Sequence, residues 1–339
     1  MSYISFQPKD YFNTVLWTTD GTGNKALTTG HSTDMVWIKF RDYAYDHRIY
    51  DDVRGVTKKI IPNKTDAEST TTDLASFDTN GFTVGSNLNS SGEGGLVGWS
   101  WKANGAGSSN TDGDITATVS ASTTSGVSIS QYTGTGSNAT VGHGLGVAPK
   151  VVMIKNLSRA EDWLVGHNSI GFTKFLSLNL TNASQAVSNR FNDTAPTNQV
   201  FSVGTSDGSN KSGDSHVAYC FTPIRGFSAM GSYIGNGSTN GSYIHLGLKP
   251  AFIIIKKDAT DSWFMYDNKR GDINTNAKTL KADSNGVEGT SGKEIDFVSN
   301  GVKIRNSNNS INTNGSTYIY MVFAEEPLVA SNGIPATAR

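Results

Sequence analysis

The chain has 339 residues, with 28 basic and 29 acidic side chains and a net charge of −1. No Lys/Arg cluster exceeds a pair such as Lys58-Lys59 or Lys256-Lys257, which argues against a phosphate-binding face, and no nucleic-acid partner is expected. A hydrophobic content of 36% with 37 glycines predicts thin cores and many turns, and no apolar run approaches the roughly 18 to 20 residues of a membrane span, so no membrane insertion is expected.

Residues 1–10 read as a short polar arm carrying Phe6 and Pro8. They lack the basic start and long apolar middle of a signal peptide, so synthesis in a cytoplasm is expected. Repeat one follows over residues 11–102. Its centre is Asp34-Met35-Val36-Trp37-Ile38-Lys39, and nearly the same phrase returns as Lys150-Val151-Val152-Met153-Ile154-Lys155 and as Ala251-Phe252-Ile253-Ile254-Ile255-Lys256. Such a run predicts a strand buried on both faces, with its terminal lysine emerging into water.

Each copy is preceded by a glycine-rich turn, Gly21-Thr22-Gly23, Gly134-Thr135-Gly136 or Gly235-Asn236-Gly237, and closes on an aromatic strand, Val97–Trp101, Val217–Phe221 or Ile319–Phe323. The separations Lys39 to Trp101, Lys155 to Phe221 and Lys256 to Phe323 are 62, 66 and 67 residues. Common order, spacing and flanking turns predict one template present three times. Asn80-Gly81 and Asn300-Gly301 predict tight hairpins in the first and third copies, since both residues tolerate positive φ.

Residues 103–125 are almost wholly Gly, Ser, Thr, Asn, Asp and Ala and read as a flexible linker, with the alternation around Ile115 and Val119 leaving open a strand against a neighbouring sheet. Repeat two then spans 126–225 and repeat three 226–327, joined without a linker and so expected to be packed more rigidly together than either is with repeat one. Residues 328–339 read as a C-terminal tail. Only single turns of helix are expected, around Lys64-Thr65-Asp66 and Asn182-Ala183-Ser184. The predicted fold is all-β: three tandem β-sandwich, jelly-roll-like modules with a flexible linker after the first.

Little in this sequence points to chemistry. Asp51-Asp52 and Glu325-Glu326 are neighbours that on a strand would face opposite sides, a poor arrangement for flanking one glycosidic bond. The six histidines show no chelating spacing, and the Asp-rich turns at Asp20 and at Asp112-Gly113-Asp114 lack the full calcium loop. Gly134-Thr135-Gly136 lacks the lysine and helix of a phosphate loop. The single cysteine, Cys220, permits no internal disulfide and is expected to be buried; His216, four strand residues away, is too distant to activate it. No catalytic residue, cofactor or metal ligand is assigned. Tyr43, Tyr45, Trp163 and Trp263, aromatic residues beside Asp and Asn in loop-like contexts, are the candidate surface-recognition residues, with packing between modules as the competing role.

Four phrases resemble a tandem-repeat family of virion-associated proteins of tailed, often marine, bacteriophages: His143-Gly144-Leu145-Gly146-Val147-Ala148-Pro149-Lys150, Asn192-Asp193-Thr194-Ala195-Pro196-Thr197, Gly231-Ser232-Tyr233-Ile234-Gly235-Asn236-Gly237-Ser238 and Tyr318-Ile319-Tyr320-Met321-Val322-Phe323-Ala324-Glu325. The resemblance spans nearly the whole chain, and repeat one departs most, lacking the Gly-Leu-Gly-Val-Ala-Pro phrase. It implies a non-enzymatic structural protein on the virion, a tail fibre or tail-associated appendage that helps bind the host surface, made in the host cytoplasm. A capsid decoration, head fibre or tail adaptor is the alternative, and a polysaccharide depolymerase the third. The implied partners are other virion proteins, further copies of the chain with a trimer as one arrangement, and a host cell-surface glycan or protein.

Overall fold

The computed structural model describes residues 5–271 and 274–327; the tail at 328–339 and the first four residues of the arm lie outside them. Strands dominate; the described α-helices are single turns at Ser188–Phe191, Asp207–Asn210 and Asn309–Asn312, with 3-10 turns at Pro8–Asp10 and Ser86–Leu88. Neither expected helical site is helical: residues 62–64 form a turn, and Gln185–Ala186 is a short strand.

The same antiparallel strand order occurs three times. In module one the opening strand Phe12–Thr18 pairs with the closing strand Gly95–Trp101, which pairs with the core strand Met35–Phe40, which pairs with the outer strand Arg48–Asp51. Module two repeats this with Val127–Thr133, Ser215–Phe221, Val151–Asn156 and Leu164–His167. Module three does so with Ser228–Ile234, Thr317–Pro327, Leu248–Lys257 and Trp263–Asp267.

The core strands are apolar on both faces because each face has a different apolar partner. One face packs on a small sheet of its own module. In module one, Val36, Ile38 and Phe40 meet Leu74, Phe82 and Val84; in module two, Val152 and Ile154 meet Val141, Phe201 and Val203; in module three, Ile253 and Ile255 meet Phe297, Val302 and Ile304. The opposite faces of all three large sheets converge on one shared core containing Trp37, Trp99, Met153, Tyr219, Phe252 and Met321. Each module is thus a two-layer sandwich, and the three large sheets form the walls of a common interior. The first module contributes to this interior together with the other two, through Phe12, Met35, Trp37, Trp99 and Trp101.

Both Asn-Gly hairpins form, joining Leu74–Asp78 to Gly81–Val84 and Ile295–Val298 to Gly301–Ile304. At Gly81 the choice is forced: φ is +151° and a Cβ would lie 1.9 Å from the Leu27 carbonyl oxygen. In module two, Val200–Val203 pairs only with Ala139–Gly142, consistent with its missing Asn-Gly turn.

The segment read as a flexible linker is ordered. Ser108–Asn110 pairs with Ala117–Ser122, and the latter runs beside the opening strand of module two over Ser122↔Val127 to Ala117↔Tyr132. The alternating residues provide the reason: Ala117 and Val119 are buried on the module-two core while Thr118 stays outside.

Candidate functional site

The three repeated lysines, expected in water, are instead buried: Lys39, Lys155 and Lys256 are each 0% exposed. Backbone carbonyls take the place of water. Lys39 Nζ donates to the carbonyls of Phe40 (2.6 Å) and Tyr43 (3.1 Å), and Lys256 Nζ to those of Lys257 (2.7 Å) and Ala259 (2.6 Å). Lys155 Nζ donates to Glu161 (2.9 Å) and across to Thr65 of module one (2.9 Å). Each ammonium gathers the carbonyls of the loop after its strand, supplying donors those groups would otherwise lack in the interior. Burial lowers all three amines to about 8.

Trp163 and Trp263 are not surface residues. They are 0% and 4% exposed, and each indole crosses a module boundary: Trp163 Nε1 donates to the Ile61 carbonyl (3.0 Å) and Trp263 Nε1 to the Ser177 carbonyl (3.0 Å). At the corresponding place in module one stands His47, whose Nε2 meets the Lys281 carbonyl at 2.9 Å. Trp37 Nε1 donates to His47 Nδ1 at 2.8 Å, which makes Nδ1 the acceptor and puts the ring proton on Nε2. Module two therefore reaches module one, three reaches two, and one reaches three. A head-to-tail contact that closes after three steps is the geometry of a ring.

A second set of side chains follows the same circuit. Asp51 and Arg54 are fully buried, paired at 2.6 Å, and meet the Tyr219 hydroxyl of module two, which donates to Asp51 Oδ2 at 2.6 Å. Asp267 and Arg270 form the matching buried pair, and Trp99 Nε1 of module one donates to Asp267 Oδ2 at 3.0 Å. Arg270 also lies over the Trp99 ring. Glu68 and Glu288 extend the two networks to Arg54 and Arg270, and Glu288 additionally binds Arg41. Module two has His167 and Ile170 at these positions; His167 Nε2 reaches the Tyr320 carbonyl of module three at 3.2 Å. The recurring Asp-x-x-Arg at Asp51 and Asp267 was the available sequence signal for these pairs; His47 had none, because its residue type differs from its tryptophan counterparts.

The groups weighed for chemistry are engaged elsewhere. Asp51 is in the buried pair just described while Asp52 is half-buried, so these neighbours do diverge. Glu325 and Glu326 instead both reach Lys249 Nζ, at 3.2 and 3.4 Å, beside a β-bulge at Pro250 that shifts the strand register. They border a polar cleft of about 270 Å³ with Lys9, Asn13, Asn268 and Lys269. Cys220 is buried in the module-two core, which pushes its thiol well up. His216 stacks on Tyr132 and contacts the carbonyls of Asp207 and Asp214. Among the described residues no cluster of His, Cys, Asp and Glu is arranged to hold a metal ion, and no helix is long and apolar enough to cross a membrane.

Tyr43 and Tyr45 are exposed, at 43% and 41%, and they stand together, their rings stacked with centroids 5.9 Å apart and 21° between planes. The loop beneath them is fixed at several points. Lys39 holds the Tyr43 carbonyl, the Tyr43 hydroxyl donates to the Gly92 carbonyl (3.2 Å), and Asp42 accepts from the Gly95 amide (2.6 Å). Tyr45 is further braced edge-on by Phe40. Gly94, at φ +76°, lies under the Tyr43 ring, where a Cβ would come within 3.2 Å. In the matching loops of modules two and three the lysine clamp is retained, but Ser158-Arg159-Ala160 and Ala259-Thr260 carry no ring. Among the described residues, neither matching loop carries a stacked pair of rings like Tyr43 and Tyr45.

A family model described as Domain of unknown function (DUF7483) matches residues 7–327. No curated protein matches the chain.

Proposed function

We propose that this chain, which belongs to the DUF7483 family, is a non-enzymatic structural protein of a bacteriophage virion, tail-associated, that contributes to binding of the host surface. The observation that carries the reading is the Tyr43–Tyr45 pair: two adjacent rings, half-exposed and held in place before any ligand arrives. Rings fixed in this way offer apolar faces and hydroxyls to a sugar at little cost in ordering. The interior supports the same division of labour, since its buried lysines, histidines and ion pairs join loops and modules to one another, leaving recognition to loops on a rigid scaffold. The phage setting rests on the sequence phrases quoted above.

The test has two arms. Mass spectrometry of purified virions should find the chain, and the purified protein should adhere to host cells, with Tyr43→Ala/Tyr45→Ala reducing adhesion by at least about tenfold while circular dichroism shows the fold retained. Binding to other virion proteins alone would replace host attachment with a decoration or adaptor role. Release of reducing sugar from host envelope would overturn the non-enzymatic reading.

A further inference from the structure

The opening strands of the three modules present equivalent edges to different surroundings. In module two the outward residues Ile129 and Gln131 face Ser120 and Thr118 of the strand Ala117–Ser122, so that edge is covered. In module one the outward groups are partly engaged: the Thr14 amide donates to Asn13 Oδ1 (2.9 Å) and the Thr18 carbonyl accepts from Lys25 Nζ (3.0 Å). A lysine at a sheet edge is a recognised guard against further pairing.

Module three has neither protection along the middle of its edge. Within Ser228–Ile234 the odd-numbered residues bond inward, as the flanking bonds Ala324 N–H to Phe227 O (2.7 Å) and Gly235 N–H to Ser316 O (2.9 Å) require. The amides and carbonyls of Met230 and Ser232 therefore point outward. At the two ends the Ser228 amide donates to the Ile224 carbonyl (2.9 Å), and the Ile234 carbonyl accepts from Ser242 Oγ (2.6 Å). Among the described residues no strand pairs with this edge and no group bonds to the outward main chain of Met230 or Ser232. Ser232 is exposed, and Ile234 is 55% exposed. The connection from module two, residues 222–227, is too short to fold back as a covering strand in the way residues 103–125 do. The equivalent edge in module two is the one that carries a paired strand.

We propose that Ser228–Ile234 is a docking edge for a second copy of this chain, the two strands pairing antiparallel across a two-fold axis to join two five-stranded sheets. The edge is self-complementary. Placing Met230 opposite Ser232 sets Gly231 against Gly231 at a non-hydrogen-bonded site, where Cα atoms approach to about 4.5 Å, and forms about four main-chain hydrogen bonds. Ser228-Ala229-Met230-Gly231-Ser232-Tyr233-Ile234 contains no charge and no proline, so nothing in it opposes a like edge. A second copy supplies donors and acceptors in the same alternation and needs no foreign partner.

Sedimentation velocity on the full chain over a range of concentrations, with amide hydrogen exchange, tests this. A concentration-dependent dimer is expected, and the Met230 and Ser232 amides gain protection as it forms. Ser232→Lys changes an exposed side chain and should raise the dissociation constant at least about tenfold, with an unchanged melting temperature at dilutions where both proteins are monomeric. Met230→Pro removes an outward amide unused in the monomer and should act alike. A chain that stays monomeric throughout, a dimer unaffected by both variants, or full protection of these amides already in the monomer, as if residues of the same chain covered them, would each overturn the proposal.

Discussion

At the boundary between modules one and two, a buried Asp51–Arg54 pair meets a tyrosine hydroxyl; between modules two and three the same positions hold His167 and Ile170, with one ring-to-carbonyl bond. The indole-to-carbonyl bond is nearly identical at both, 3.0 Å from Trp163 and 3.0 Å from Trp263. The backbone geometry of the ring is thus compatible with two chemistries. What differs is how failure is expected. A buried ion pair adds little net stability over apolar packing, but losing one partner leaves an uncompensated charge.

The largest expected effect is therefore at the charged boundaries. Arg54→Ala or Arg270→Ala should each destabilise by about 3–5 kcal/mol, because Asp51 or Asp267 then stays buried without its cation, whereas Ile170→Ala, at a half-buried apolar position, should cost only about 1–2 kcal/mol. Urea denaturation of the three variants measures the contrast, and equal losses would remove it.

Acid should act on the histidine-containing boundaries. Burial holds His47 down to about 3 and His167 to about 4, and does the same to His31, also about 4, inside module one. Unfolded histidines titrate near 6.5. As pH falls from there toward 4, the unfolded chain takes up protons that the folded chain does not, so stability present above pH 6.5 is lost through that window. Denaturant midpoints should fall between pH 6.5 and 4. His47→Trp, which installs the residue its two counterparts carry, should flatten part of that decline.

Removing one circuit bond should have a smaller effect. Trp263→Phe keeps most of the ring but strands the Ser177 carbonyl, for about 1–3 kcal/mol. Lys256→Met, which withdraws the donor from the Lys257 and Ala259 carbonyls, should fall in the same range, read from thermal melting.

The strands and hairpins were legible in the sequence because local signals specify them: the apolar runs before Lys39, Lys155 and Lys256, and the Asn-Gly pairs. The fate of those lysines was not. A lysine ending an apolar run looks like an emerging strand end, and only the loop that follows, folded back with its carbonyls inward, makes a buried ammonium tolerable. Trp163 and Trp263 misled for a related reason: polar neighbours suggested a surface, yet their partners lie in the preceding module, at a separation no local pattern encodes. Tyr43 and Tyr45, in similar company, remain outside because Lys39 and Gly92 hold their loop at the rim. Order in residues 103–125 was half visible, in the alternation around Ile115 and Val119.

Three sandwiches share one interior and are expected to stand or fall together. Differential scanning calorimetry of the whole chain tests this most directly. The shared core predicts a single transition whose calorimetric and van't Hoff enthalpies agree; separate transitions, with one module melting while the others persist, would contradict it.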